Sequence, residues 1–413
     1  MMPGSFASLF GTEAEQVFRD AYRRSVERFG PPKFFLHGFQ RLQGRFPGDE
    51  SSTTPLYLDR LIPAPDAGRA LVEITTPSGT SQALLAESDD GLLATADLVD
   101  IVECHLAETY HKSPRPITAR TPFNYRRFPT GLRNWLHGVL VALRRIMYPQ
   151  KAKGVWPHWP VETFARRWIE ASGIVVSPLP DRRVFVFTHD VDGPEQITFA
   201  QKIAAWENAN GIRACFFLPA VVLREKAVEV EQIAALGHEI GLHGLTHDNR
   251  QLLIDPMHYA AAVETYREEL DRFAVAAYRA PSLLTNSALR RALAELFSID
   301  SSIPDTDIYA EAGLHHGCGV LRPYDLDGLR EAPITLPLDD RLHTLGEVDP
   351  VAFWLTKTKW IHNQRGVAVL CTHANERYYP QGPEAVFDKL LTGLQKQGNV
   401  EFFALSQAAR PSD

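Results

Sequence analysis

The 413-residue chain is 45% hydrophobic and 23% charged, and it has a formal net charge of −7. These proportions are ordinary for a soluble globular protein, and the length allows two domains. The acidic balance argues against a nucleic-acid partner, and the four widely spaced cysteines argue against a disulfide scaffold or a cysteine-rich zinc site. We recognise no secretory leader and no run long enough to span a bilayer, so the expected location is the cytoplasm.

Residues 1–180 predict an α+β region that is separate from the rest of the chain. Helical periodicity is found at 12–28 and from 96 to about 110, and strand-rich patterns are found at 55–75 and 81–97. The sequence pattern changes near residue 180, where we predict a domain boundary. No motif in this region predicts a function for it.

A strongly basic segment occupies residues 109–161. It contains no Asp or Glu but ten Lys and Arg residues, whereas a solvated helix face usually mixes both signs. From Leu132 onward, apolar side chains recur mostly at intervals of three and four, which predicts an amphipathic helix. The apolar positions are Leu132, Trp135, Leu136, Val139, Leu140, Leu143, Ile146 and Met147.

Two interpretations of this helix are open. In the first, it packs on the remainder of the chain or in a dimer interface, and its arginines are merely solvated. In the second, it lies on an anionic membrane surface, which attracts basic side chains and accepts Trp and Leu into its interfacial layer. The absence of acidic residues leads us to hypothesise the second, with peripheral membrane contact through residues 126–153.

From residue 181 onward, apolar β-rich runs alternate with helical patterns. Strands are predicted at 184–188, 212–218, 239–242, 275–278, 298–301, 333–336, 367–371 and 400–404. Helices are predicted at 195–210, 223–236, 256–272, 286–297, 349–364 and 383–397. This alternation favours an α/β fold in which a mostly parallel sheet forms an open or closed barrel. The active site of such a fold lies at the carboxyl ends of the strands.

Two carboxylates follow the first of these strands. Asp190 and Asp192 lie in the segment Thr188-His-Asp-Val-Asp-Gly-Pro194. Carboxylates at a strand exit suit metal ligation together with general-base work. Taken alone, the segment is equally compatible with a solvated turn beside Gly193.

A pair of histidines follows the third strand, in Gly237-His-Glu-Ile-Gly-Leu-His-Gly-Leu-Thr-His247. On a helical turn, His243 and His247 would share one face and bind one metal ion, although an isolated HxxxH pair is more often structural. Together with one aspartate they would leave a coordination position for water, as catalytic zinc requires. His238 precedes the strand and is interpreted as structural.

Two further polar residues end later strands. Arg279, in Tyr278-Arg-Ala-Pro-Ser282, is positioned to pair with a carboxylate and keep it ionised. His373 directly follows the apolar run that begins at Val367. Each signal is weak by itself, because most arginines face solvent and most isolated histidines are structural. Their common position at strand ends favours a shared site.

Together these segments resemble the motifs of the polysaccharide deacetylases, the NodB-homology proteins of carbohydrate esterase family 4. The similar segments, in chain order, are Thr188–Pro194, Gly237–His247, Arg279–Pro281, Ser298–Ser302, Pro333–Pro337 and Leu370–His373. The resemblance covers residues 181 to about 405 and does not extend into residues 1–180. It implies a distorted (β/α) barrel of the NodB type as the catalytic domain, 181–413, preceded by the α+β region.

The resemblance also implies a divalent metal ion held by Asp192, His243 and His247. Zinc is the expected metal, although cobalt, manganese or nickel also suits two histidines and one aspartate. The implied reaction is hydrolysis of an N-acyl group, in the first place N-acetyl, on an amino sugar of polysaccharide or glycolipid biosynthesis. The sugar is free or lipid-linked.

The family resemblance assigns roles to the remaining motif residues. Asp190 is the implied base and His373 the implied acid. Arg279 keeps Asp190 ionised, and the backbone N–H of Ser282 contributes to oxyanion stabilisation.

The first and third motifs depart from the common family pattern. Val191 separates the two aspartates, which are usually adjacent, and this affects which carboxylate is the base. Ser282 stands where an aromatic sugar platform is common. Two alternatives stay open: an allantoinase-like hydrolase of another C–N amide bond, and a catalytically inactive carbohydrate-binding module. Retention of all six charged motif residues favours an enzyme.

Overall fold

The computed structural model describes residues 5–35, 39–47, 49–64, 67–76, 79–109, 160–176, 178–306, 317–345 and 348–410, and four residues between 132 and 143. Most of the basic segment therefore lies outside the described residues. The four described positions of its predicted helix, Leu132, Trp135, Val139 and Leu143, are helical, and their exposed fractions are 42%, 63%, 39% and 46%. Among the described residues, no helix is both long and apolar enough to cross a bilayer.

The amino-terminal region has α+β architecture, as predicted. It begins with the helices α1 (Ser5–Phe10) and α2 (Thr12–Phe29). Seven strands follow: β1 (Lys33–Phe34), β2 (Gln40–Phe46), β3 (Asp49–Leu58), β4 (Arg60–Leu61), β5 (Arg69–Thr75), β6 (Ser81–Ser88) and β7 (Gly91–Ala94). Strands β1 and β4 pair with each other, and the others form an antiparallel sheet in the order β3-β2-β5-β6-β7. Helices α3 (Leu98–Leu106) and α4 (Val161–Ala171) complete the region.

The carboxyl-terminal region contains one curved sheet of nine strands. These are β8 (Arg183–Asp190), β9 (Cys215–Leu218), β10 (Glu239–Leu242), β11 (Ala277–Tyr278), β12 (Ile299–Asp300), β13 (Tyr324–Leu326), β14 (Leu329–Glu331), β15 (Val367–His373) and β16 (Val400–Phe402). Their order is β13-β14-β12-β11-β10-β9-β8-β15, with β16 also paired to β8. Only the β13–β14 pair is antiparallel among these described strands.

Helices connect successive parallel strands, because such strands need crossover connections, and one short helix follows the last strand. They are α5 (Ile197–Ala209), α6 (Ala220–Glu225), α7 (Ala227–Ala235), α8 (Pro256–Glu264), α9 (Arg267–Arg272), α10 (Ser287–Leu293), α11 (Asp339–Leu345), α12 (Pro350–Asn363), α13 (Glu384–Gln397) and α14 (Leu405–Ala408). Two of these helices begin at an N-terminal cap that is recognisable in the sequence. Asp255 and Asp349 each cap a helix whose first residue is proline. The predicted helices 223–236 and 256–272 are each divided in two.

An irregular segment lies between the two sides of the curled sheet where a strand was predicted at 333–336. The N–H of Ile334 donates to the carbonyl of Ile303, and the N–H of Leu336 donates to the carbonyl of Val369 on β15. Pro333 and Pro337 flank the segment and lack the N–H groups that a regular ladder requires. The predicted strand at 333–336 is therefore wrong in detail, while the predicted distorted (β/α) barrel is confirmed.

The two regions share a hydrophobic core. Trp168 of α4 is fully buried in the same cluster as Ile303, Val320 and Tyr324 of the carboxyl-terminal region. The Tyr324 hydroxyl donates to the carbonyl of Leu106 at 2.7 Å. The boundary near residue 180 marks a change of sequence pattern, and apolar packing continues across it.

Replacing Trp168 should therefore destabilise the whole chain. We expect Trp168→Ala to lower the free energy of unfolding by about 3–5 kcal/mol, because it leaves a cavity in the shared core. Urea denaturation followed by circular dichroism measures this. The control is Trp135→Ala at an exposed position, which should change the value by less than about 0.5 kcal/mol. Two separate transitions, only one of them shifted, would contradict a shared core.

Candidate active site

Six predicted site residues lie at the carboxyl ends of neighbouring strands. Asp190 ends β8, His243 follows β10, and Arg279 follows β11. His373 ends β15, which pairs with β8 in the register that places His373 beside Asp190. Asp192 and His247 follow on the loops. Because the strands are parallel, their side chains converge at one rim of the barrel.

Arg279 is completely buried and pairs with Asp190. Its Nη1 donates to Oδ1 of Asp190 at 2.9 Å and to the Thr188 hydroxyl at 2.9 Å. Nε and Nη2 donate to the carbonyl and hydroxyl of Ser301, each at 2.8 Å. Burial alone would raise the pKa of Asp190, but the Arg279 guanidinium, assisted by His243 and His373, holds that pKa well below its usual range. Asp190 is therefore ionised at neutral pH, as a base must be.

Asp192, His243 and His247 form a group that fits one metal ion. Nε2 of His247 and Nε2 of His243 lie 3.3 and 3.7 Å from Oδ1 of Asp192. Tetrahedral zinc ligands at about 2.0–2.1 Å from the metal would be about 3.4 Å apart. The donor atoms of all three residues lie within 4.8 Å of one another. The spacing and the donor set therefore match a zinc site.

The tautomer of His243 supports a ligand role. Its Nδ1–H donates to the carbonyl of Arg279 at 2.9 Å. The lone pair for a metal ion is therefore on the other ring nitrogen, Nε2. Nε2 is buried and has no hydrogen-bond partner among the described residues. A buried nitrogen in this state is stabilised by a metal ion.

The two histidines lie on an irregular loop, so the predicted helical turn is wrong. Gly244, between them, has a φ of 71°, which ends any helical path from β10. A Cβ at Gly244 would lie 2.7 Å from a ring atom of Pro281, so only glycine allows the two loops to approach so closely. The His243 and His247 rings nevertheless lie 5.1 Å apart.

His373 is coupled to a buried aspartate that the sequence analysis did not identify. Its Nδ1 lies 2.6 Å from Oδ1 of Asp339, and its backbone N–H donates to Oδ2 at 2.8 Å. Burial alone would lower the pKa of His373, but Asp339 raises it well above the ordinary value. The imidazole is therefore held protonated, as a general acid must be.

Possible ligand atoms of Asp339, Asp340 and His373 also lie within 4.8 Å of one another. Nδ1 of His373 is already hydrogen-bonded to Oδ1 of Asp339. Asp339 also accepts a hydrogen bond from the Tyr379 hydroxyl at 2.8 Å. These bonds favour a hydrogen-bonded His–Asp pair over a second metal site.

Ser282 lies in a strained turn next to Arg279. Ser282 and Leu283 have φ values of 52° and 58°, in the left-handed region that non-glycine residues rarely adopt. The Ser282 hydroxyl donates to Oδ1 of Asn249 at 2.9 Å. An oxyanion role for its backbone N–H stays a prediction.

Sequence reasoning missed one contact of Asp190 and two contacts of Arg279. Cys371 lies in the last motif, and its thiol donates to Oδ2 of Asp190 at 3.4 Å. Ser301 and Thr188 hold Arg279, as described above. These residues could have been identified from their positions in the sequence, because each lies at or near the carboxyl end of a strand, within a recognised motif. Asp339 follows the irregular segment 333–336 and offered the same signal.

With this geometry in place, we compared the chain with known proteins. Residues 179–296 match the polysaccharide deacetylase family. The match includes Asp190, Asp192, His243, His247 and Arg279, and it ends before His373. It agrees with the family that the motifs resemble. A comparison with curated proteins gave no match.

Several solved structures are similar to somewhat more than half of the chain. Peptidoglycan deacetylase PdaC from Bacillus subtilis is 15% identical, covers 55% of this chain and 90% of its own, and has a TM-score of 0.35. Puue allantoinase is 15% identical, with coverages of 57% and 93% and a TM-score of 0.45. A CE4 family pseudoenzyme from Bacillus anthracis is 13% identical, with coverages of 56% and 67% and a TM-score of 0.37. None of these likenesses decides the reaction.

Removing either histidine should abolish metal binding. We expect His243→Ala and His247→Ala each to lose most of the bound metal, because two remaining ligands hold a divalent ion weakly. Inductively coupled plasma mass spectrometry of the purified proteins measures this. His258→Ala, at a histidine whose side chain is 85% exposed, is the matched control and should keep its metal. One full equivalent of metal in both site variants would refute the assignment.

Proposed function

We propose that this chain is a metal-dependent hydrolase that removes an N-acyl group, in the first place N-acetyl, from an amino sugar. The observation that carries the proposal is the convergence of a metal-binding group, an ionised buried carboxylate and a protonated histidine at one barrel rim. Hydrolysis of an amide needs an activated water, a base and an acid for the leaving amine. The family match of residues 179–296 supports deacetylation of a sugar.

Asp192, His243 and His247 would hold the metal, with zinc as the proposed ion. When bound, it polarises the acyl carbonyl and lowers the pKa of a water molecule. Asp190 accepts the proton of that water. Arg279 and the Cys371 thiol each donate to a carboxylate oxygen of Asp190, which fixes the orientation of this proposed base.

His373 protonates the leaving amine. Its Nδ1 is bonded to Asp339, so the transferable proton is on Nε2. The raised pKa of His373 keeps that proton in place until nitrogen departs. The backbone N–H of Ser282 would stabilise the oxyanion.

The substrate class can be tested directly. N-acetylated sugars, free, nucleotide-linked and lipid-linked, would be incubated with the zinc-loaded protein and followed by mass spectrometry for loss of one acetyl group. Loss from at least one sugar supports the proposal. If no sugar reacts and a cyclic ureide is opened instead, the chain is an allantoinase-like hydrolase. Metal binding without any hydrolysis would favour an inactive binding module.

A second proposal concerns where the protein works. We propose peripheral attachment of this chain to the inner, anionic face of a membrane through residues 126–153, where a lipid-linked sugar is accessible. Leu132, Trp135, Val139 and Leu143 are helical, exposed and spaced by three and four. Residues 126–153 supply seven Lys and Arg residues and no Asp or Glu to a chain of net charge −7, which would otherwise be repelled by anionic lipid.

Separating binding from chemistry tests the proposed roles. Asp190→Asn should keep its metal and lose about 10²–10⁴-fold in kcat, because it removes the base and spares the ligands. His373→Ala should behave similarly through loss of the acid. Asp271→Asn, at an exposed aspartate remote from the motifs, is the control and should retain activity. A metal-free Asp190→Asn protein would make Asp190 a ligand and reverse the roles of the two aspartates.

Membrane attachment is tested by co-sedimentation with phosphatidylglycerol-containing vesicles at low and high salt. Wild-type protein should pellet at low salt, and high salt should weaken the binding. Trp135→Ser combined with Leu143→Ser, or Arg144→Glu combined with Arg145→Glu, should release most of it. Phe34→Ser, at another exposed aromatic residue, is the control and should still pellet. Wild-type protein in the supernatant at low salt would contradict the proposal and favour a soluble substrate.

A further inference from the structure

The turn that carries Ser282 is held in place by the loop that carries the two histidines. Within this turn, residues 280–284, Ser282 and Leu283 both adopt left-handed backbone angles. Such angles are unfavourable for residues with a side chain, so they persist only where the surrounding contacts enforce them. The loop comprises residues 243–251 and includes His243 and His247. Its contacts with the turn therefore identify the side chains that hold the proposed oxyanion donor.

Gln251, at the end of this loop, bridges both ends of the turn. Its side-chain Nε2 donates to the carbonyl of Pro281 at 2.8 Å and to the carbonyl of Leu284 at 3.1 Å. These two bonds fix the orientation of the amide group, because its nitrogen carries both of its donors and its oxygen can only accept. Gln251 is 3% exposed, so the bridge lies in the protein interior.

Two further hydrogen bonds join the loop to the same stretch of chain. Oδ1 of Asn249 accepts the Ser282 hydroxyl at 2.9 Å, and Asn249 itself has a φ of 61°, which asparagine tolerates better than most residues. Nδ1 of His243 donates to the carbonyl of Arg279, which directly precedes the turn. The loop and the turn are therefore one hydrogen-bonded unit, which contains two proposed metal ligands and the proposed oxyanion donor.

The bond from Gln251 to Pro281 has a direct consequence for Ser282. The carbonyl of Pro281 and the N–H of Ser282 belong to one planar peptide unit, in which they point in opposite directions. A donor that fixes this carbonyl therefore also fixes the direction of the N–H. Burial of an amide side chain is unfavourable unless it is hydrogen-bonded, and an apolar side chain of similar length would fill the same space. The N–H donors of Gln251 thus explain why a polar residue is buried here.

We propose that Gln251 is a positioning residue that fixes the peptide unit between Pro281 and Ser282 and so directs the Ser282 N–H towards the oxyanion. The oxyanion role rests on the proposed function, whereas the hold of Gln251 on the turn does not. The oxyanion forms only as water attacks, so the N–H stabilises the transition state and contributes little to substrate binding. Because an oxyanion forms in the hydrolysis of amides and esters alike, both reactions should depend on Gln251.

The experiment replaces Gln251 with methionine, which has a similar length and no N–H donor. The matched control is Gln397→Met. Nε2 of Gln397 likewise donates to a backbone carbonyl, that of Leu355, at 2.8 Å. The carbonyl of Gln397 accepts from Arg183 at the start of β8, so this control lies at the opposite end of that strand from Asp190.

Two substrates would be compared in the zinc-loaded proteins: the N-acetyl sugar found by the screen, and 4-nitrophenyl acetate, whose leaving group needs no proton. We expect Gln251→Met to lower kcat about tenfold for both substrates, because the oxyanion donor is no longer held in its direction. KM and metal content should stay unchanged, and Gln397→Met should match the wild type. His373→Ala, by contrast, should lower hydrolysis of the amide much more than hydrolysis of the ester.

Hydrogen–deuterium exchange followed by mass spectrometry tests the hold on the turn without any reaction. The N–H groups of Leu283 and Leu284 are hydrogen-bonded within the turn, to the carbonyls of Ala280 and Pro281. Their exchange should be about tenfold faster in Gln251→Met, because opening of the turn then breaks fewer bonds, and unchanged in Gln397→Met. If the wild type hydrolyses neither substrate, the proposed function fails while this measurement still tests the hold on the turn. Unchanged exchange, faster exchange with unchanged kcat, or loss of metal from Gln251→Met would each overturn the proposal.

Discussion

The ion pair between Arg279 and Asp190 is the constraint on which the site depends. Arg279 extends from the end of β11 and contacts groups on four other strands or their exits: Asp190, Ser301, Cys371 and the ring of Phe217, 4.1 Å below its guanidinium. A buried charge is tolerated only when it is paired and fully hydrogen-bonded, and breaking such a pair costs about 3–5 kcal/mol. The same contacts that satisfy Arg279 therefore fix the strand ends relative to one another.

The chemistry follows from this fixed geometry. Because β8 is held in register with β15, the proposed base and the proposed acid enter the site side by side. Asp192 lies two residues beyond Asp190. The Asp190 carboxylate is directed to Arg279, and the Asp192 carboxylate is directed to His243 and His247. The end of β8 thus supplies both the proposed base and a proposed metal ligand, and β15 supplies the proposed acid.

The amino-terminal region reaches the site through the segment after β12. Ser301 holds Arg279, and the hydroxyl of Ser302 accepts the N–H of Ala280. The next residue, Ile303, is buried in the core that contains Trp168 of α4. One stretch of three consecutive residues, 301–303, therefore links the arginine to the amino-terminal core. This proximity gives residues 1–180 a structural connection to the site that their sequence did not suggest.

The sequence by itself determined the alternation of strands and helices and the residues that converge at the rim, because periodicity reports which face is buried and parallel strands end at one edge. It missed the β13–β14 hairpin despite its Asp327-Gly328 turn, because three-residue strands carry little periodicity. Only the tertiary structure revealed that the chain at Gly244 forms an irregular loop and that Asp339 is hydrogen-bonded to His373. These depend on contacts between residues far apart in the chain, which local patterns cannot encode.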